Sequence, residues 1–250
     1  MGKVRVSAVS YLNSIPFVYG LEQSDLLPAA IDLSLDIPSV CAEKLLSDEV
    51  DLGLIPVATI PDLSNPQIIS EYCIGADGPV QTVCLFSSVP LENITTVLLD
   101  FHSRTSVQLV QILCKHFWKI TPDFTEAKEG FEQSISENTA AVIIGDRAYQ
   151  YREQYQYVYD LAEEWEKYTG LPFVFACWVA NKPLPISFQQ QFSLALKMGL
   201  KNLDNALEEK GALYQTSIDK HHYLSQVISY DLDDRKKEGM ELFLRFLSKN

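Results

Sequence analysis

Along the first 150 residues the apolar positions recur with two rhythms, every second residue or every third to fourth, and each change of rhythm marks a new element. Lys3-Val4-Arg5-Val6-Ser7-Ala8-Val9 alternates and is rich in β-branched residues, which predicts a strand. Pro16 opens an apolar stretch that predicts the following helix. Ile31 to Asp36 predicts a second strand, Pro38 to Leu46 a helix with proline in its first turn, and Asp51-Leu52-Gly53-Leu54-Ile55-Pro56 a third strand. Strand, helix, strand in this order is what a parallel α/β layer requires.

From Gln67 the pattern changes. Two long extended runs, Gln67 to Gly75 and Val80 to Ser87, flank Ala76-Asp77-Gly78-Pro79, whose Asp-Gly-Pro predicts a turn. A second α/β series follows, with Thr96 to Asp100 as a strand, Thr105 to Trp118 as a helix and Ala140 to Asp146 as another strand. Val107, Val110, Leu113, Cys114 and Phe117 form one stripe of that helix. A further extended run, Phe173 to Ala180, precedes a helical remainder from Ile186 to Asn250, broken near Gly211 and around Ser229 to Asp231. The extended runs bracket the second series, so the pattern predicts two lobes joined by two crossings, residues 1–87 and 178–250 in one and 88–177 in the other. A cleft between lobes is a favoured place for a ligand, and lobes on hinge strands close around what they bind.

Composition narrows the ligand. The chain has 250 residues, 47% of them hydrophobic, enough for one large domain or two small ones. Its 20 basic and 33 acidic residues give a net charge of −13 with no basic cluster, which argues against nucleic acid or an anionic membrane as partner. A small anion remains compatible, because backbone N–H groups, hydroxyls and one arginine suffice to hold a buried carboxylate. The N-terminus runs straight into a strand pattern and no segment is apolar for long enough to span a bilayer, so the expectation is a cytoplasmic protein with no obligate protein partner. Cys41, Cys73, Cys84, Cys114 and Cys177 sit in apolar surroundings and read as reduced core thiols. No Cys-x-x-Cys or His-x-x-x-His pair offers a metal site, the His221-His222 rings point apart on a helix, and no cofactor is expected.

The candidate chemistry lies in the polar turns. Ser10, Tyr11 and Asn13 follow the first strand, where open α/β sheets bind ligands, and their side chains suit a carboxylate or hydroxyl. Helix capping by Asn13 or Ser14 fits the same residues. Thr82 projects a hydroxyl near the hinge or serves only β-propensity. Ser103-Arg104-Thr105-Ser106 opens a helix, where backbone N–H groups and hydroxyls can hold an anion; capping would use one hydroxyl of the three. Asp146 ends a buried strand at a crevice position, suited to an acid, a base or a hydrogen-bond acceptor. Arg147 beside it is a surface charge or a partner of Asp160 or Glu164, and the run Asp160 to Glu166 reads as a solvated helix face over Trp165. His102 stands next to a binding turn, as a proton carrier or a bystander.

Five motifs taken together carry a family resemblance. Ser10-Tyr11-Leu12-Asn13, Asp51-x-Gly53-Leu54-Ile55-Pro56, Cys73-Ile74-Gly75-Ala76-Asp77-Gly78-Pro79-Val80, Ile144-Gly145-Asp146 and Thr169-Gly170-Leu171-Pro172-Phe173-Val174-Phe175-Ala176-x-Trp178 occur in the order seen in the chorismate dehydratases of the futalosine route to menaquinone. The chain resembles that family over nearly its whole length. The resemblance implies an α/β, two-lobed, periplasmic-binding-protein-like (type 2) fold serving as a cytoplasmic carbon–oxygen lyase, with chorismate between the lobes as its small-molecule substrate. It implies catalytic roles for an asparagine of the first turn, matched by Asn13, and for a serine of the hinge strand, replaced here by Thr82 with the hydroxyl kept. Ser10, Tyr11, Ser103, Arg104, Thr105, Ser106 and Asp146 are then the expected substrate contacts. In the family picture the substrate's own enolpyruvyl carboxylate takes the C3 proton, which agrees with motifs that hold no histidine or lysine. The rival is a cytoplasmic carboxylate-binding or sensing protein on the same fold without chemistry.

Overall fold

A computed structural model describes residues 2–25 and 27–248. Its eleven strands are β1 (Val4–Val9), β2 (Ile31–Asp36), β3 (Leu52–Pro56), β4 (Gln67–Ala76), β5 (Val83–Ser87), β6 (Thr96–Leu99), β7 (Asp123–Glu126), β8 (Thr139–Ile144), β9 (Tyr157–Asp160), β10 (Phe173–Ala180) and β11 (Ser229–Asp231). They form two sheets, ordered β11-β4-β10-β3-β1-β2 and β7-β6-β8-β5-β9. In the first, β1 runs parallel to β2 and β3, and β10 lies antiparallel between β3 and β4. In the second, β6 runs parallel to β7 and β8, while β5 is antiparallel to β8 and β9. Each lobe thus joins a parallel α/β core to antiparallel strands supplied by the crossings.

The sheet partners put the crossings at residues 77–82 and 161–172, whereas the sequence pattern set the lobe boundaries at 87/88 and 177/178. The reason is that β3, β5 and β10 are buried at every position. An unbroken apolar run says that a strand is central without saying in which sheet.

Helices pack each sheet from the sequence positions expected. The helices Ile15–Gln23 and Pro38–Leu46 both carry proline in the first turn. Ile15–Gln23 lies so close to Ile186–Lys201 that a Cβ on Gly199 would run into the carbonyl of Pro16, and one on Gly20 into that of Ala195. Helix Thr105–Ile112 continues as a π-helical stretch, Leu113–Trp118, and stops at Lys119 in the left-handed region. The helical remainder breaks at Gly211–Leu213 and at β11 as expected and ends at Leu247; residues 249 and 250 lie outside the described range.

One apolar core runs through both lobes, with Trp165 and Trp178 fully buried, and a smaller cluster around Phe86 and Phe131 covers the far face of the second sheet. All five cysteines are buried free thiols, and burial pushes those of Cys41, Cys73 and Cys114 up to about 12. Among the described residues no helix is long and apolar enough to cross a membrane.

Candidate active site

β1 delivers the chain to Tyr11, whose backbone is extended, and then into a tight 3-10 turn, Leu12–Ser14. Leu12 is buried as the anchor of this turn, which leaves Asn13 beside the space between the sheets. Neither Asn13 nor Ser14 caps the helix that follows with its side chain. A cavity of about 60 Å3 lies at the crossings. Tyr11, Asn13, Thr82, Ser103, Thr105 and Ser106 give its polar wall, and Val9, Ile74, Val83, Ile144 and Phe175 are among its apolar lining.

Thr82 comes at the end of the first crossing and is 2% exposed. The crossing is held by Asp160, which accepts hydrogen bonds from the N–H groups of Val80 (3.1 Å) and Gln81 (2.6 Å) while capping the helix Leu161–Thr169. Those contacts fix Gln81 at φ 68°, a left-handed conformation that a glutamine adopts at a cost. The Thr82 carbonyl accepts from the Gly145 N–H at 2.9 Å, and its hydroxyl lies 2.7 Å from the Tyr223 hydroxyl. Asn13 Oδ1 accepts from the Ser14 hydroxyl at 3.3 Å, and the Tyr230 hydroxyl donates to the Asn13 carbonyl at 2.9 Å. Burial holds the Tyr223 phenol well above its ordinary pKa, so it stays protonated. Tyr223 escaped the sequence reading: it is 141 residues from Thr82, and a tyrosine in a helical tail reads as core.

At the helix start, Ser103 Oγ accepts from the Ser106 N–H at 3.0 Å and so spends itself on capping. Thr105 Oγ1 donates to the Phe175 carbonyl (3.1 Å) and accepts from the Ala58 N–H (3.3 Å), tying the second lobe to two elements of the first. The Ser106 hydroxyl has no hydrogen-bond partner among the described residues and lines the cavity. Arg104 does not line it. Its guanidinium lies 3.8 Å from the Glu43 carboxylate at a wide, solvent-open depression of about 850 Å3, which shares only Ser103 with the inner cavity. A helix-start position does not fix the direction of a long, flexible side chain, and the carboxylate outside attracts this one. The smaller hollow, where the polar turns converge, is the candidate site; in the wider one the charged residues are four acids, Glu43, Asp62, Asp100 and Glu126, against the single Arg104.

Ser10 and Asp146 also stand outside the cavity lining. Ser10 donates its N–H to the Asp36 carbonyl at 2.8 Å and shapes the turn through its backbone. Asp146 Oδ2 accepts from the Leu12 N–H at 3.1 Å, linking the end of the second sheet to the first turn, while Oδ1 is buried with no partner. Burial raises this carboxyl to about 6, against the opposing pull of the Leu12 N–H and Lys220. Gly145 precedes it at φ +76°, and a Cβ there would stand 3.1 Å from the Tyr11 ring. The Tyr11 hydroxyl reaches across to His102 Nδ1 at 2.9 Å; burial lowers the His102 pKa and raises that of Tyr11, so both are neutral near pH 7.

Arg147 pairs with Asp100 and Glu132, each at 2.6 Å, and with neither Asp160 nor Glu164. Asp160 and Glu164 are themselves buried at 3% and 8% exposure, so the acidic run is not a solvated face. Glu164 accepts from Trp118 Nε1 at 2.8 Å, and Trp165 packs fully buried beside it as expected.

Among the described residues no carboxylate, imidazole or amine lines the cavity, and Tyr11, the phenol in its lining, is held neutral. The wall can hydrogen-bond and exclude water, but it brings no base or nucleophile of its own.

Two α/β lobes meeting at their crossings around a largely apolar cavity with a cluster of hydroxyl and amide side chains define a periplasmic-binding-protein-like fold. A solved structure from Archaeoglobus fulgidus superposes with a TM-score of 0.78 at 13% identity, covering 99% of this chain and 97% of that one. A Candida albicans protein with the generic periplasmic binding protein fold gives 0.66 at 13% identity, covering 100% and 91%. The sequence profile for menaquinone biosynthesis matches residues 4–249, and the chain belongs to that family. Chorismate dehydratase of Thermus thermophilus is 27% identical, over 93% of this chain and 95% of that protein.

Proposed function

We propose that this protein is a lyase that dehydrates chorismate to 3-(1-carboxyvinyloxy)benzoate. The observation that carries the reading is a cavity at the crossings that Asn13 and Thr82 both line and that, among the described residues, no ionised side chain lines. Kinship with a chorismate dehydratase supports the substrate.

Chorismate loses the C3 proton and the C4 hydroxyl, and the electron pair of the C3–H bond completes an aromatic ring as the C4–O bond breaks. Aromatisation supplies the driving force, so the protein has to position the substrate, stabilise charge and let the hydroxyl depart as water. With no base in the wall, the enolpyruvyl carboxylate of the substrate takes the C3 proton, and the carboxylic acid so formed returns it to the departing C4 hydroxyl, which leaves as water. Asn13 and Thr82 hold that carboxylate and the departing hydroxyl in register. The ring carboxylate lies against Ser106 and the start of helix Thr105–Ile112, where N–H groups stabilise the charge that spreads onto it. Arg104 has no part in that contact.

At about 60 Å3 the cavity is far smaller than the roughly 300–1,000 Å3 of typical small-molecule sites. Chorismate therefore enters when the lobes part and is sealed from water when they close. Incubation with chorismate, followed by proton NMR of the ring, tests the reading. Conversion to a meta-substituted aromatic is the expected result. Unchanged chorismate with saturable binding would instead mark a receptor on the same fold and refute the lyase.

A further inference from the structure

We infer that Tyr223 is a positioning residue that aims the Thr82 hydroxyl at the substrate, an inference that rests on the dehydratase reading of this cavity. Tyr223 contacts one of the two groups assigned to catalysis: its hydroxyl is 2.7 Å from Thr82 Oγ1. The other acceptor near Thr82 Oγ1 is the Val80 carbonyl, at 3.5 Å, the limit of a hydrogen bond. A phenol has one proton to give. With that proton given to Thr82 Oγ1, the Thr82 proton is free to point at the departing hydroxyl or the carboxylate. The β-branched threonine has few staggered rotamers, so one fixed hydrogen bond sets its hydroxyl direction.

The surroundings suit a fixed support rather than an acid. Tyr223 is 1% exposed, and its backbone is tied at both ends, its N–H to the Asp219 carbonyl (2.9 Å) and its carbonyl to the Ile228 N–H (3.0 Å). It opens a π-helical segment, Tyr223–Val227, a geometry that recurs at functional sites. Burial keeps the phenol protonated, so Tyr223 orients without exchanging a proton.

The test is a double-mutant cycle on chorismate turnover with the wild type, Tyr223→Phe, Thr82→Val and the double variant. Tyr223→Phe removes one oxygen and keeps the packed ring. It should lower kcat about tenfold, leave KM within about twofold, and cost nothing further once Thr82 is valine. The urea midpoint should stay near that of the wild type. A kcat within about twofold of wild type, a loss repeated in full on top of Thr82→Val, or a loss that only tracks a lowered midpoint would each overturn the inference. A wild-type protein inert toward chorismate is a separate outcome, which brings down the dehydratase reading itself.

Discussion

Replacing Asp146 with asparagine perturbs the contact by which the second sheet holds the first turn. The carboxyl ionises at about 6 in the folded protein, against an ordinary value of 3.8. That difference is about 2 units at about 1.4 kcal/mol each, so the ionised carboxyl costs the fold about 3 kcal/mol once the pH is above both values. Between them the folded chain retains a proton that the unfolded chain has released, so stability falls as pH rises through this window. The contribution is whole below about 3.8 and spent above about 6. Asparagine has the same shape, keeps an acceptor for the Leu12 N–H and does not ionise. Its amide NH2 would occupy the place of Oδ1, buried without a partner, and leaving that group unsatisfied costs about 1–2 kcal/mol. Asp146→Asn should therefore be more stable than the parent by about 1–2 kcal/mol at about pH 8 and lose that advantage at about pH 4. Urea unfolding of both proteins at the two pH values is the assay. An advantage of equal size at both, or a parent more stable at the higher pH, would refute the reasoning.

Asn13→Ala and Thr82→Val should each reduce chorismate turnover by about a hundredfold, the usual loss for a group that stabilises a transition state, with a much smaller change in unfolding midpoint. Turnover close to wild type in either variant removes that residue from the mechanism, and Thr82→Ser should remain active because the hydroxyl is kept. Gly199→Ala should destabilise the fold by about 3 kcal/mol, since the new methyl would meet the Pro16 carbonyl and force two helices apart; a thermal midpoint unchanged from the parent would show that the helices yield without cost.

In the first lobe the elements were legible because the periodicity is clean: β1, β2 and β3 and the helices between them stand where alternation and proline place them, whereas β7, exposed throughout, and β9, mostly half-buried, carry no clean apolar signal and were not legible. Partnership was not legible where the pattern carries no direction. β5 and β10 are apolar throughout, and only their neighbours decide that one belongs to the second sheet and the other to the first. The same division holds at the site. Asn13, Thr82 and Ser106 follow from turns and helix starts, which are local. Tyr223 against Thr82, Tyr11 against His102 and Asp146 against the Leu12 N–H join residues 141, 91 and 134 positions apart, and no short-range signal encodes such pairs. Arg104 shows the limit of local reading from the other side: its backbone is where the helix start requires, yet its charge is turned outward to Glu43.

The treatment of acidic side chains around the cavity connects the fold to the proposed chemistry. A chain with 33 acidic residues has to receive a substrate that itself carries two carboxylates. Near the site each acid is turned to another partner. Asp100 takes Arg147 and the N–H groups of His102 and Ile144; Glu132 takes the other arm of Arg147; Asp36 takes Lys44, Ser7 and Ser34. Asp146, whose second oxygen lacks a partner, has its ionisation moved up toward neutrality instead. A carboxylate left free in the wall would repel the substrate in a medium where charges interact strongly, and would compete for the C3 proton with the carboxylate that the substrate carries. Hydroxyl and amide groups set in an otherwise apolar wall avoid both costs. On this reading the absence of a protein base is a condition for binding a dianion in an acidic protein, and closure of the lobes converts that binding into elimination by excluding the water that would solvate the reacting carboxylate.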